Sequence, residues 1–388
     1  MTQHFHTTPT PVQPFFSTPA QRLALARQRY FEDGVRPSGL VSEGVIQSWS
    51  RCVQSHRDPV EQIAFNPVTP SRVHSALARS QLLLQAAATD LTQLENTLAG
   101  TACTAILTDP QGVVVHATRS AAHHGEVLLP LARRVGVSLD EDHIGTGAPG
   151  VTLRTGQPSL VLGGEHFFGH MHGLYCAAAP IRDLRGQLAA VLDLTCESRP
   201  FGFDAAAVVA LYATTIENQL LRAQSTEHIV VHLQTSAALL GTPMEGLAGL
   251  DSNGRIAWIN NVASRLLGMA QGETGLRVGE VFGLDLNRLA VLTRDGGTAM
   301  HRLPNGLNVW LAARLHARDG APQLFQLGHA PEPAPVPEAA PPGTLRESDR
   351  ALIERSVREH GGNVSKAARA LGISRGRVYR HLKQAAPN

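Results

Sequence analysis

The sequence contains few cysteines, and they form no recognisable metal or redox motif. Four are spread over 388 residues without a C-x-x-C pair: Cys52, Cys103, Cys176 and Cys196. Such isolated cysteines are more typical of reduced thiols than of a disulfide framework. We therefore expect four free thiols and a reducing compartment.

The sequence also lacks the segments that direct a chain into or across a membrane. No apolar run approaches the roughly eighteen residues of a membrane-spanning helix. The N-terminal "MTQHFHTTPTPVQPFF" has none of the three regions of a secretory signal. We expect a cytoplasmic protein without membrane contact, long enough for about two to four domains with separate cores.

Motifs for catalysis are missing as well. No G-x-x-x-x-G-K-[ST] sequence occurs, so the phosphate-binding loop of P-loop ATPases is absent. "GTGAPG", residues 145–150, fits a dinucleotide-binding pattern, but no buried strand precedes it and Pro149 interrupts the helix start. "GISRG", residues 372–376, fits a nucleophile elbow, but helix-forming residues precede it. We expect no enzyme activity.

Positive charge is concentrated near the end of the chain. The net charge is +2, yet residues 345–388 hold ten Lys or Arg against four Asp or Glu, so the remainder is mildly acidic. Such a basic block predicts a nucleic-acid-binding module. The preceding "EPAPVPEAAPPG", residues 332–343, favours extended, solvated backbone and predicts a linker.

Helical patterns come first along the chain. In "SEGVIQSWSRCV", Ile46, Trp49 and Val53 share one helix face. Further on, leucines repeat every seven residues, at Leu77, Leu84, Leu91 and Leu98. This repeat fits either a helix that pairs two subunits or an amphipathic helix packed on its own domain.

Three later segments place D-x-x-G between two apolar runs. They lie at Asp109–Gly112, Asp183–Gly186 and Asp251–Gly254. Aspartate can accept hydrogen bonds from the turn backbone, and glycine tolerates positive φ, so each segment predicts a β-hairpin. The sequence therefore predicts antiparallel sheets, the construction of small sensor domains.

The basic segment has helix-turn-helix spacing. A helix is followed by Gly-Gly-Asn, a short helix over residues 364–371, a turn at Gly372 and a final helix that Ser374 can cap. Apolar residues that would hold the short helices together are Ala367, Ala368, Leu371, Ile373, Val378 and Leu382. The outward basic residues are Arg375, Arg377, Arg380 and Lys383.

This segment resembles the Fis-type helix-turn-helix, G-N-x-x-x-A-A-x-x-L-G-I-x-R-x-x-x-x-x-x-L. The matching residues are Gly362, Asn363, Ala367, Ala368, Leu371, Gly372, Ile373, Arg375 and Leu382. The resemblance implies a homodimer on a pseudo-palindromic site in double-stranded DNA, with the helix of residues 347–360 helping to pair the subunits. By position it implies base contacts from Ser374, Arg375 and Arg377, and phosphate contacts from Arg380 and Lys383.

The middle of the chain, from "DEDHIGTGAPGVTLRTGQPSLVLGG" to "VLDLT", is similar to the GAF sensor of acetoin-catabolism regulators, which are sigma-54-dependent activators. "SWSRC" and "HRDP", within residues 48–59, resemble that family's lead-in. The resemblance implies a small organic effector in a GAF pocket. The candidate contacts are His143, Thr146, His166, His172 and Cys176.

Two departures from this family bear on function. The Trp-Glu pair that the family carries before G-T is missing from "SLDEDHIGTG", and the central AAA+ ATPase is absent. In place of the ATPase, "GLAGLDSNGRIAWINNVASRLLG" resembles the start of a PAS domain, with Asn260 and Asn261 after the second strand. Without the ATPase, such a regulator would repress by occupancy or recruit RNA polymerase that contains the housekeeping sigma factor.

The sequence leaves several alternatives open. His166, His170, His172 and Cys176 include metal-ligand types, but a pocket wall explains them too, and we assign neither metal nor cofactor. The chain also resembles redox- or haem-responsive repressors that join PAS domains to a Fis-type tail. A GAF-based thiol reductase, similar to the free methionine-sulfoxide reductases, and a nucleoid-bending protein remain as further alternatives.

The predicted fold class is α+β multidomain, with GAF and PAS-like antiparallel-sheet sensor domains and an all-α helix-turn-helix. The predicted bounds are a tail (1–20), a helical region (21–99), a GAF domain (100–225), a PAS-like domain (226–330), a linker (331–344) and the DNA-binding domain (345–388). A helix over residues 212–233 is expected to link the two sensors. The predicted function is that of a bacterial one-component transcription regulator.

Overall fold

A computed structural model describes residues 18–119, 126–225, 228–270, 272–292, 297–316, 322–324, 345–376 and 378. The chain divides into two compact units, Met1–Leu327 and Gly328–Asn388. Within the described residues, no helix is long and apolar enough to cross a bilayer.

The first unit begins with four helices. They are α1 (Pro19–Arg27), α2 (Glu43–Gln54), α3 (Pro70–Arg79) and α4 (Gln81–Leu98), and a π-helical segment, Gln28–Glu32, extends α1. Thr18, Ser42 and Thr69 cap three of them by accepting a backbone N–H from the first turn.

The leucine repeat belongs to two helices and packs within the chain. Helix α3 ends before Ser80 and α4 begins after it, so the four leucines do not lie on one continuous helix. Leu91 and Leu98 are buried in the same apolar cluster as the first sheet, together with Leu83 and Leu94 on the same helix. Of the two alternatives, the structure shows the amphipathic helix packed on its own domain.

On α2, Ile46 and Trp49 are buried as predicted, but Val53 is 46% exposed. Cys52 takes the buried position beside Trp49 instead. Val53 lies one residue before the helix ends at Gln54, and in this last turn Cys52, not Val53, packs into the apolar core.

The first sheet is antiparallel throughout, with strand order β2-β1-β5-β4-β3. Its strands are β1 (Cys103–Thr108), β2 (Val114–Ala117), β3 (Ser159–Leu162), β4 (Leu174–Arg182) and β5 (Leu188–Glu197). One face is covered by α2 and by α5 (Leu129–Ala132), α6 (Glu141–Ile144) and α7 (Ala148–Thr155). The other face is covered by α4 and α8 (Ala205–Gln224). We call residues 18–225 the first module.

The second sheet has the order β11-β10-β6-β7-β8, and β9 also pairs with β10. Its strands are β6 (Ile229–Gln234), β7 (Gly246–Leu250), β8 (Ile256–Ile259), β9 (Ala299–Arg302), β10 (Asn308–His316) and β11 (Pro322–Leu324). Three short helices accompany it: α9 (Asn261–Leu267), α10 (Val278–Phe282) and α11 (Leu286–Leu292). We call the described residues from 228 to 324 the second module; its PAS-like assignment stays a prediction.

All three D-x-x-G segments form the predicted hairpin turns. Asp109 Oδ1 accepts hydrogen bonds from the backbone N–H groups of Gln111 and Val113, each at 2.9 Å, and Gly112 has φ +82°. The turns at Asp183–Gly186 and Asp251–Gly254 repeat this arrangement. Two antiparallel sheets with packed helices confirm the α+β fold class.

The helix expected over residues 212–233 is shorter than predicted. Helix α8 ends at Gln224, and the next described element is strand β6, which begins at Ile229. The run "IVVHLQ" is rich in β-branched residues, which favour a strand when the second sheet offers pairing partners on both sides. The two modules are therefore joined by a helix-to-strand transition.

The expectation of four free thiols was also wrong. Cys103 and Cys196 form a disulfide, whereas Cys52 and Cys176 are free and buried. The two bonded residues are 93 positions apart in the sequence, but the antiparallel register of β1 and β5 places them directly opposite, with Cα atoms 4.4 Å apart. The pairing is a consequence of strand register, which cysteine spacing does not reveal.

Reduction of this bond should lower the free energy of unfolding by about 2–4 kcal/mol, because the unfolded chain regains the freedom of a long closed loop. Urea unfolding with and without reductant measures the change. The Cys103→Ser variant is the control, since reductant should not affect its stability. Thiol titration of the denatured, unreduced chain should find two thiols, and four would contradict the bond.

Candidate functional site

The described part of the C-terminal unit has the first two predicted helices and the glycine turns; most of the final helix predicted from Ser374 lies outside the described residues. Helix α12 (Leu345–Glu359) is followed by Gly361 and Gly362, both with positive φ, and by α13 (Val364–Ala370). Asn363 caps α13 by accepting the backbone N–H of Lys366 at 3.1 Å. The positive-φ turn then repeats at Gly372. Glycine is suited to these positions because it adopts positive φ without steric cost.

A small apolar core holds these elements together. Ile353, Ala368 and Val378 are buried in one cluster, with Leu371 and Ile373 packed against it. The backbone N–H of Val378 donates to the carbonyl of Ser374, so a helical turn starts at Ser374. Ser374 and Arg375 are exposed at that start. Arg377, Arg380, Leu382 and Lys383 lie outside the described residues.

In the first module, the S-W-S-R lead-in on α2 contacts two loops that carry candidate effector residues. Ser48 Oγ lies 2.7 Å from Thr146 Oγ1, and Trp49 Nε1 donates to the carbonyl of Glu165 at 2.8 Å. Arg51 forms a two-point ion pair with the buried Glu141, with N···O distances of 2.6 and 2.7 Å. These residues therefore fix the positions of the loops that flank the candidate site.

A chain of buried polar side chains lies on the face of the first sheet that α2 and α7 cover. His166 Nδ1 donates to the carbonyl of Gly163 at 2.9 Å, so in the neutral ring Nε2 faces Cys176 Sγ, 3.6 Å away, as an acceptor. Thr195 Oγ1 lies 3.2 Å from Cys176 Sγ and 2.5 Å from Asp193 Oδ2. We call Asp193, Thr195, Cys176 and His166 the buried polar chain.

Burial disfavours charge on the side chains of this buried polar chain. It lowers the pKa of His166 to about 4, and it raises the pKa of Asp193 to about 7 and that of the Cys176 thiol well above its ordinary value. With Asp193 protonated, each hydrogen has an acceptor: Asp193 donates to Thr195, Thr195 to Cys176, and Cys176 to His166. Deprotonation of Asp193 would place a charge in the apolar core.

The same face also carries polar atoms that have no hydrogen-bond partner among the described residues. Thr104 lies opposite Thr195 on the neighbouring strand, and its buried Oγ1 finds no partner in the part of the chain that the structure describes. Within the same described residues, the buried Asp193 Oδ1 and Thr108 Oγ1 are unpaired as well. Each unmade hydrogen bond costs on the order of 1–3 kcal/mol, so this face favours a polar partner over purely apolar packing.

A cavity of about 720 Å³ opens on the other side of the loop that carries His166. His172, Glu165 and Tyr175 line it together with apolar residues of α1, β3 and the start of α8. Burial lowers the pKa of His172 and raises that of Glu165, which leaves both side chains less charged than they would be in water. We call it the loop cavity. Its size and mostly apolar walls suit a small organic molecule.

The five predicted effector residues are thus not in one place. Thr146, His166 and Cys176 lie on the face of the first sheet that α2 and α7 cover. His172 faces the loop cavity. His143 is exposed on α6, where its Nδ1 lies 2.5 Å from Asp140 Oδ1. Among the described residues, no cluster of three or more His, Cys, Asp or Glu is arranged to hold a metal ion.

Asp193 was missed at the sequence level. Its signal is a lone acidic residue between leucines in "VLDLT", a strand whose apolar residues otherwise pack on both faces. The thiols do not form the reactive pair that a thiol reductase needs. Cys176 Sγ is buried against His166, whereas Cys196 packs in the cluster on the opposite face of the sheet and is bonded to Cys103.

Comparison with known proteins gives two family matches. Residues 17–218 match the model described as "MimR, N-terminal domain", which is more than half of the chain. Residues 344–384 match the model described as "Bacterial regulatory protein, Fis family".

Curated relatives match over part of their length. The propane 2-monooxygenase operon transcriptional activator MimR of Mycolicibacterium smegmatis is 30% identical over 187 residues, 47% of this chain and 30% of that protein. The acetoin catabolism regulatory protein of Cupriavidus necator is 31% identical over 284 residues, 66% of this chain and 42% of that protein. The chain thus spans less than half the length of these two relatives.

One solved structure that the chain is similar to is that of the Escherichia coli DhaR(N)–DhaL complex. The similarity has a TM-score of 0.44 and 16% identity, and it covers 70% of this chain and 99% of that chain.

The Asp193→Asn variant should be more stable than the original chain, by an amount that depends on pH. Above the ordinary pKa of 3.8 the unfolded carboxyl ionises freely, but the folded one does so only near pH 7. The original chain therefore loses stability relative to the variant as pH rises from about 4 to 7, by on the order of a few kcal/mol in total. Above about pH 7 the difference should level off.

Urea unfolding at several pH values across this range measures that difference. Asp142→Asn is the matched control, because Asp142 is an exposed carboxylate on the same module. A difference for Asp193→Asn that stays constant with pH would contradict the raised pKa.

Proposed function

The chain belongs to the family of the MimR N-terminal domain, and we propose that it is a one-component transcription regulator that binds DNA and answers to a small organic effector. The observation that carries the proposal is the capped and packed Fis-type helix-turn-helix at residues 345–378. The first and second modules would act as the sensor.

DNA recognition would start at the exposed turn that begins at Ser374. The first residues of a recognition helix meet base edges in the major groove, so Ser374, Arg375 and Arg377 are the proposed base-reading residues. Arg380 and Lys383 follow on the same predicted helix and would contact phosphates. Two such units in a homodimer would read a pseudo-palindromic operator.

Regulation would proceed without ATP hydrolysis, because the 388 residues contain no phosphate-binding loop. Such a regulator can act by occupying a promoter or by recruiting RNA polymerase through a protein contact. The two curated relatives are named as an activator and as a regulatory protein, so both signs of regulation are compatible with the similarity.

The effector would bind in the loop cavity, against the loop of residues 163–172. This loop has the cavity on one side and the buried polar chain on the other, and His166 hydrogen-bonds to Gly163 within it. An effector that favours one loop position would shift the equilibrium between two states of the first module. Because burial lowers the pKa of His172 and raises that of Glu165, the cavity disfavours charge and suits an uncharged ligand with hydrogen-bonding groups.

Arg375→Ala should weaken binding to a specific site by about 1–3 kcal/mol and relax the choice of base, because it removes a base contact. Arg377→Ala should behave similarly, whereas Lys383→Ala should weaken binding to all sequences about equally. Gel-shift titrations would use a DNA fragment that the original chain selects from a random pool, with a scrambled fragment beside it.

Arg358→Ala is the matched control for loss of one positive charge in this unit, since Arg358 is exposed on α12. It should reduce affinity for both fragments slightly and equally. If the Arg375→Ala variant prefers the selected fragment over the scrambled one as strongly as the original chain does, Arg375 does not contact a base.

Effector binding should raise the melting temperature of the full chain for one class within a panel of small ketones, alcohols, aldehydes and phenols. A ligand at a hundredfold excess over Kd adds about 2.7 kcal/mol of stability. Ala206→Trp, which places an indole at the rim of the loop cavity, should abolish the shift. A shift that survives in this variant would place the effector elsewhere.

A further inference from the structure

A second cavity, of about 500 Å³, lies at the junction of the first and second modules. Its walls come from the turn that follows α7, from β4, from one side of α8 and from the start of α9. Pro180, Ala210, Leu211 and Met244 supply apolar surface, and Glu217 is the acidic residue that lines it. We call it the junction cleft. Clefts of this size between domains, with few polar groups, are common ligand sites.

Glu217 presents an acceptor to this cleft. Its Oε2 accepts the backbone N–H of Arg182 at 2.8 Å, which fixes the orientation of the carboxyl group. Oε1 makes no protein hydrogen bond in the described part of the chain. Burial raises the pKa of Glu217 to about 7, so an added hydrogen-bond donor would compensate for solvation that the carboxylate has lost.

Three of the neighbouring polar side chains, those of Arg182, Thr214 and Asn260, already form hydrogen bonds within the protein. The Arg182 guanidinium donates to the carbonyls of Gly186 at 3.1 Å and Gly156 at 2.6 Å. The Thr214 hydroxyl donates to the carbonyl of Ala210 at 2.8 Å. Asn260 Nδ2 donates to Asn218 Oδ1 and to the carbonyl of Glu245, each at 2.9 Å. Glu217 Oε1, on a carboxyl group held in place by the Arg182 N–H, is thus an acceptor open to a ligand.

We propose that the junction cleft binds a small alcohol, an uncharged molecule with a hydroxyl group on an apolar body, whose hydroxyl donates to Glu217 Oε1. The charges in the wall favour a neutral ligand. Arg182 and Arg265 disfavour an ammonium ion, and Glu217 disfavours a carboxylate. The apolar body would pack against Leu211 and Met244, which are 47% and 54% exposed.

The cleft also lies beside the polar contacts that join α8 to the second module. Glu217 directly precedes Asn218, which bonds to Asn260, and one turn later Arg222 pairs with the buried Glu245. Glu245 in turn accepts from His232 Nδ1 at 2.9 Å. A ligand that bridges α8 and α9 would add to these contacts and favour the orientation of the modules that closes the cleft. This site is separate from the loop cavity and does not depend on the effector assignment.

The test is calorimetric titration of the full chain at about pH 8, where Glu217 is mostly ionised. The probes are benzyl alcohol, cyclohexanol and 1-butanol, and benzyl methyl ether is the control because it lacks the hydroxyl donor. At least one alcohol should bind saturably, with the ether about tenfold or more weaker than benzyl alcohol. Glu217→Gln keeps an acceptor for the Arg182 N–H but removes the charge, and it should weaken alcohol binding about tenfold.

Two variants on α8 distinguish the cavities. Ala210→Trp fills the junction cleft and should abolish alcohol binding, whereas Ala206→Trp, one turn earlier, lies at the loop cavity and should leave it unchanged. Loss of binding in Ala206→Trp alone would assign the alcohol to the loop cavity and overturn the proposal. The proposal also fails if no alcohol binds saturably, or if benzyl alcohol and its ether bind equally to the original chain.

Discussion

Helix α8 packs against both sheets, and the arrangement of the two modules depends on this shared contact. Val209, Ile216 and Leu220 lie in the apolar cluster on the first sheet, whereas Leu221 packs with residues of the second sheet. Apolar burial fixes the helix on the first sheet, since each fully buried Leu or Ile contributes about 1.5–3 kcal/mol. Polar contacts from Asn218 and Arg222 then set its position against the second module. Because α8 contacts both modules, a movement of one module changes the contacts of α8 with the other.

The first module combines an apolar core with buried polar side chains, which a sheet of purely structural function would not need. On the face that α2 and α7 cover, the buried polar chain and Thr104, whose hydroxyl has no partner among the described residues, stabilise the fold less than leucine and valine side chains in their place would. Such groups are usually retained for binding or switching. Burial lowers the pKa of His166 and raises those of Cys176 and Asp193, so this environment favours neutral, hydrogen-bonded side chains over a thiolate nucleophile.

Local interactions could be predicted from the sequence, and distant ones could not. The turns at Gly112, Gly186 and Gly254 were predictable because the aspartate, the glycine and their hydrogen bonds lie within four residues, and the Asn363 cap was predictable for the same reason. The end of α8 depends on strand partners far along the chain, which the expectation of a helix over residues 212–233 did not take into account. The predicted effector residues stay a prediction, and Asp193 comes next to Cys176 and His166 only through strand register, which the sequence does not reveal.

The disulfide between Cys103 and Cys196 ties the first strand of the first sheet to its last. Every segment between them, from β2 to β4, therefore belongs to a covalent ring as well as to a linear chain. A peptide bond cut inside this ring would open it without dividing the molecule. A nicked chain would keep its full mass until a reductant separated the pieces, so oxidised protein can tolerate proteolysis in this stretch that would dismantle the reduced form.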